Sequence, residues 1–98
     1  MSDFQKLISS ETPVLVDFSA EWCGPCKTMA PILKDLKARV GEKANIIKVD
    51  VDRNPAAAQA YRVQGVPTLI LFKKGEVRWR KSGVTQAHEL ESIIRQNL

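Results

Sequence analysis

Five consecutive residues, Val14-Leu15-Val16-Asp17-Phe18, limit the architecture of this chain more than any other segment. A strand with one wet face alternates apolar and polar residues; a nearly unbroken apolar run is the pattern of a strand covered on both faces. Covering both faces takes helices on the two sides of a sheet, so an α/β architecture is expected. With 98 residues, the chain has room for one hydrophobic core, and residues 1–98 are read as a single domain. A chain of this size buries about two-thirds of the surface its unfolded form exposes, which needs no metal or staple to hold.

Helical and strand periodicities alternate along the rest of the sequence. Ser2 with Gln5 has the spacing of a capping box, and Phe4, Leu7 and Ile8 then recur at helical intervals until 10–13 breaks the pattern. Pro25 suits the first turn of a second helix, where its missing N–H removes no hydrogen bond. Met29, Ile32, Leu33, Leu36 and Val40 form that helix's apolar stripe up to Gly41. Pro31 lies within the stripe and predicts a kink, because the periodicity resumes beyond it. Ile46, Ile47, Val49 and Val51 predict a second strand, and Asn54-Pro55 opens a short helix ending at Ala60 or Tyr61. Thr68 to Phe72 and Val77 to Lys81 flank Lys73-Lys74-Gly75-Glu76, a glycine-bearing turn of hairpin length, and so predict antiparallel neighbours. A last helix follows Thr85, with Ala87, Leu90, Ile94 and Leu98 facing inward. The expected product is a parallel unit with helical crossovers, then a hairpin and a closing helix: a mixed sheet with helices on both faces.

Several function classes drop out. A secretory signal needs a basic start followed by an apolar stretch, whereas residues 1–12 carry Asp3, Lys6 and Glu11, so a cytoplasmic protein is expected. The longest apolar candidate, Thr68 to Phe72, is far below the roughly 20 residues that cross a bilayer, and no membrane partner is expected. The net charge is +4, with basic residues gathered at Lys73, Lys74, Arg78, Arg80 and Lys81. Without a helix-turn-helix, zinc-finger or RNP pattern beside it, this cluster reads as a solvated hairpin and predicts no nucleic-acid partner.

Chemistry concentrates at Trp22-Cys23-Gly24-Pro25-Cys26-Lys27, which holds both cysteines of the chain. Residues three apart at a helix start share a face, with Cβ atoms about 5–6 Å apart, so a small local adjustment closes a disulfide. A loop this short removes little entropy from the unfolded chain, so the bond is a weak staple and its value lies in being made and broken. Cys23 sits where unpaired N–H groups and the helix dipole favour an anion, which points to it as the thiolate nucleophile. Cys26, one turn deeper, is then the resolving thiol. A zinc site lacks its second half: there is no other cysteine pair, and the sole histidine, His88, lies in the final helix. Haem attachment fails because Lys27 stands where histidine is required. Two idle buried cysteines are the bland alternative, and Gly24-Pro25 with Trp22 argues against it. His88 reads as surface, and Trp79 as cross-strand packing. Asp17, a carboxylate inside a buried strand, should have its pKa raised by desolvation and could accept a proton near neutrality. Its bland reading is a polar residue kept for packing or water.

The hexapeptide Trp22 to Lys27, preceded by Val14 to Phe18 and followed by Gly65-Val66-Pro67-Thr68, resembles the thioredoxin family in order and separation. The similarity runs over nearly the whole chain and includes the Lys73-Lys74-Gly75 turn and Gly83. The resemblance implies the thioredoxin fold and a protein-disulfide reductase that carries electrons through the reversible Cys23–Cys26 disulfide, with no other cofactor and no metal. It makes Pro67 a cis proline beside the dithiol and Val66 a strand-like docking edge for substrate. Trp22, Gly65, Pro67 and Gly83 complete a contact surface. It assigns Asp17 the proton of Cys26, with Lys48 on the neighbouring strand modulating that carboxylate. Gly24 and Pro25 between the cysteines favour a reductant over an oxidase or isomerase of the same fold; a scaffold without redox work is the alternative from another class. The implied partners are disulfide-containing client proteins and a thioredoxin reductase, and the expected state is a monomer. The family usually has a strand ahead of the first helix, whereas this chain starts at that helix, so four strands are expected, with an exposed edge or an altered neighbour there. Ser19 stands where many bacterial members carry an aromatic residue.

Overall fold

A computed structural model of the chain describes residues 2–98. The apolar run forms strand β1 (Val14–Ser19), and each of its six residues is buried. Its side chains divide between two cores, as the two-residue period of a strand requires. Leu15 packs with Met29, Leu36 and Val40 of helix α2 (Gly24–Val40) and with Leu90 and Ile94 of helix α4 (Ala87–Arg95). Val14, Val16 and Phe18 pack on the opposite face with Ile8 of helix α1 (Asp3–Ile8), and with Phe4, Ala57 and Tyr61, of which Ala57 belongs to helix α3 (Pro55–Ala60).

Strand β1 lies inside a mixed sheet of four strands among the described residues, ordered β2-β1-β3-β4, with β2 at Asn45–Asp50, β3 at Thr68–Lys73 and β4 at Glu76–Ser82. The thioredoxin fold expected from the sequence is the fold observed. Helix length explains the strand directions. The 17 residues of α2 span about 25 Å at 1.5 Å per residue, enough to return the chain along a six-residue strand of about 20 Å, and β2 is parallel to β1. The six residues of α3 cover only about 9 Å. The chain therefore enters β3 from the end at which it left β2, and β3 runs antiparallel to β1. The sequence pattern of a parallel unit thus describes β1-α2-β2 alone. This second, unreversed connection brings the start of β3 and the end of β4 to the carboxyl end of β1.

Local chemistry agrees with these boundaries. Ser2 Oγ accepts the Gln5 N–H at 3.1 Å and Gln5 Oε1 accepts the Ser2 N–H at 3.1 Å, a complete capping box. Helix α2 continues through Pro31 and ends at Gly41, whose φ of 57° is costly for any other residue. Lys74 and Gly75, at φ 56° and 80°, form the two-residue turn whose handedness matches strand twist, and β3 and β4 pair antiparallel as expected. Two apolar residues behave differently from their periodicity. Leu98 is 55% exposed because α4 stops at Arg95, leaving it beyond the last turn. Leu7 is 54% exposed although Ile8 beside it is buried, since six residues present only a narrow inward face. No helix among the described residues is long and apolar enough to cross a membrane.

Candidate active site

Helix α2 begins immediately after Cys23, which occupies the N-cap position with extended backbone angles of −92° and 114°. Its Sγ accepts the backbone N–H of Cys26 at 3.1 Å, using one of the orphan donors of the first turn. The two residues are joined as a disulfide, with Cα atoms 5.3 Å apart, within the range that such a bond tolerates. Both cysteines are buried, whereas Gly24 and Pro25 between them are exposed. The same N–H that meets the sulfur of the disulfide is available to a thiolate when the bond opens, and a hydrogen bond to an anion is about twice as strong as one to a neutral acceptor.

The loop before β3 closes over this helix end. The peptide bond between Val66 and Pro67 is cis, as the sequence reading expected. Val66 O lies 3.5 Å from Cys23 Sγ, and Val66 packs with Ala20, Cys23 and Cys26 in one small cluster. Thr68, fully buried, donates its hydroxyl to Gly65 O at 2.6 Å and lies 3.1 Å from Ser82 Oγ, fastening the loop to both strands of the hairpin. Gly83 follows at φ 100° and donates its N–H to Pro67 O at 2.8 Å. Trp22 is 71% exposed, yet its indole is held by Nε1 donating to Asp52 Oδ2 at 2.9 Å. The hydrogen bond thus fixes the orientation of an exposed aromatic ring next in sequence to the disulfide. The structure thus gathers Trp22, Cys23, Cys26, Val66, Pro67 and Gly83 at one end of the sheet.

Beneath the disulfide, Asp17 shares the α2 face of β1 with Leu15, two residues away. It is 1% exposed, and its Oδ1 has no hydrogen-bond partner. Burial pushes its carboxyl up from 3.8 to about 6, opposed by the charge of Lys48, its register partner on β2. Asp17 and Cys26 line one cleft of about 720 Å³. A carboxylate with its own hydrogen-bonding capacity unused, in the same cleft as the deeper sulfur, is equipped to receive a proton.

Two residues of this arrangement escaped the sequence reading. Asp52 lies in the turn after β2 and reaches Trp22 across 30 positions, a pairing that no local spacing signals. The Thr68 hydroxyl could have been suspected from a polar residue opening an otherwise apolar strand. His88 is exposed, and Trp79 packs half-buried against the α2-side core opposite Leu71. Among the described residues no three His, Cys, Asp or Glu side chains cluster as metal ligands.

A cysteine pair at a helix N-terminus, faced by a cis-proline loop on an α/β sheet, defines a thiol-disulfide exchange site. Comparison with known proteins makes the class specific. The thioredoxin family model matches residues 1–96. Thioredoxin 1 of Chlorobaculum tepidum is 47% identical over 86 residues, covering 88% of this chain and 85% of that protein. The thioredoxin of Rickettsia conorii is 39% identical over 98 residues, covering 99% and 93%. Among solved structures, a mutant thioredoxin of Halobacterium salinarum superposes with a TM-score of 0.88 at 37% identity, covering 99% of this chain and 84% of that one. The chain belongs to the thioredoxin family, whose proteins are thiol-disulfide oxidoreductases.

Proposed function

We propose that residues 1–98 act as one domain that reduces disulfides of client proteins, with Cys23 as nucleophile and Cys26 as resolving thiol. The supporting observation is the placement of Cys23 Sγ: it caps α2, accepts the Cys26 N–H, and lies 3.5 Å from Val66 O. In the reduced protein, a client segment pairs with the Val66 backbone and rests on Trp22, Gly65, Pro67 and Gly83. The Cys23 thiolate attacks one client sulfur, forming a mixed disulfide and expelling the other client sulfur as a thiolate. Asp17 takes the proton of Cys26; the new thiolate attacks Cys23 Sγ, the Cys23–client bond breaks, and the client departs with two electrons gained. A carboxyl near 6 is mostly ionised at pH 7, which fits this role. Lys48 tunes Asp17, while Gly24 and Pro25 set the geometry of the cysteine loop.

The oxidised pair is recharged by a reductase of the thioredoxin reductase class, so the chain relays electrons and needs no cofactor beyond its dithiol. Its setting in this reading is the cytoplasm, where disulfides are kept reduced, and it works as a monomer. Insulin reduction by dithiothreitol, followed by turbidity, tests the proposal. The wild type should accelerate precipitation and the Cys23→Ser/Cys26→Ser double variant should not; equal rates would overturn it.

A further inference from the structure

Strand β2 forms one margin of the sheet, and its backbone phase can be read from its partner. The Asn45 N–H donates to Pro13 O and the Val51 N–H to Ser19 O, each at 2.9 Å, so the odd-numbered residues of this segment turn their backbone toward β1. Ile46 and Lys48 therefore turn N–H and C=O outward. Among the described residues neither forms a hydrogen bond on that side. Such an edge is a template for another strand.

The surroundings of the edge fit one kind of strand. The cleft of about 720 Å³ runs along it, with Leu7 of α1 and Lys34 of α2 both in its lining. Side chains of an added strand alternate between the two faces of the sheet. On the α1 face they would meet Leu7, 54% exposed, and the half-buried Ile47. On the α2 face they would meet Lys34 and Lys48, which are exposed and form no ion pair among the described residues. The sole carboxylate lining the cleft, Asp17, is buried within it. A second copy of this chain is a poor occupant, because self-pairing would bring Lys34 and Lys48 of two chains of net charge +4 together.

We propose that the outer edge of β2 is a docking site for an extended partner segment of alternating apolar and acidic residues. The partner adds as a fifth strand, with its apolar side chains on Leu7 and Ile47 and its carboxylates at Lys34 and Lys48. This surface shares none of Trp22, Val66, Pro67 or Gly83 with the client surface, although its cleft also holds Asp17 and Cys26.

The test uses the oxidised 98-residue protein and a fluorescein-labelled decapeptide alternating valine and glutamate, followed by anisotropy and by amide shifts in NMR. Saturable binding is expected, with the largest shifts at Ile46 and Lys48, at least about fivefold weaker for Lys34→Glu and weaker in high salt. Ile46→Pro, which removes an outward N–H and no ladder bond, should also weaken it. A peptide with lysine in place of glutamate should not bind. No binding, equal binding of the lysine peptide, an unchanged Lys34→Glu affinity, shifts centred on Trp22 and Val66, or self-association through β2 would each overturn the proposal.

Discussion

Replacing Asp17 by asparagine should make the oxidised protein more stable at alkaline pH, although nothing is added to the core. A carboxyl moved by burial from 3.8 to about 6 corresponds, at about 1.36 kcal/mol per pH unit, to about 3 kcal/mol. The native state holds this proton more tightly than the unfolded chain does. The protonated group's advantage is present below about pH 4 and is lost as pH rises through about 6, above which the buried charge destabilises the fold by a constant amount. Because Asp17 lines a cleft that solvent enters, about 3 kcal/mol is a ceiling. The asparagine side chain carries no charge at any pH, and its amide can occupy the site where Asp17 Oδ1 lacks a partner. Urea unfolding of Asp17→Asn and wild type at pH 4, 6 and 8 measures the difference. The variant should gain about 1–3 kcal/mol at pH 8, equivalent to a Tm increase of at least about 4 °C for a domain of this size, and little or nothing at pH 4. A difference independent of pH, or a less stable variant at pH 8, would refute burial as the origin of the raised carboxyl.

Removing the amine of Lys48 with Lys48→Met should raise the Asp17 pKa further, since the lysine charge is what opposes burial; carboxyl chemical shifts followed against pH would show the midpoint moving up. Thr68→Val deletes the hydroxyl that holds Gly65 O and should destabilise the protein by about 1 kcal/mol, with a raised KM for insulin if the loop shapes the client surface. Cys26→Ser should accumulate a mixed disulfide between Cys23 and a client, seen by mass spectrometry as an adduct released by dithiothreitol.

Much of this architecture is legible in the sequence because local rules and tertiary demands agree. The unbroken Val14-to-Phe18 run marked the central strand, Ser2 with Gln5 marked the first cap, and Cys23 three residues before Cys26 placed two sulfurs on one helical turn. The direction of β3 was not legible in the same way, because it follows from the span of α3 relative to a strand rather than from any periodicity. Asp52 was invisible for a related reason: its bond to Trp22 joins segments 30 residues apart, and Asp52 alone reads as an ordinary surface carboxylate. Leu98 matched the apolar stripe of α4, but a helix end frays where no neighbour covers the next turn. That β2 forms a margin of the sheet, and which residues flank it, needed the strand order and the packing of α1 and α2.

The proposed roles of the two sulfurs depend on the end of α2 favouring a thiolate at Cys23 over Cys26. Reduced protein treated with limiting iodoacetamide at pH 6.5 and digested for mass spectrometry reads that preference at each cysteine. Carboxamidomethylation should fall almost wholly on Cys23. Equal modification of the two cysteines, or Cys26 modified first, would contradict it.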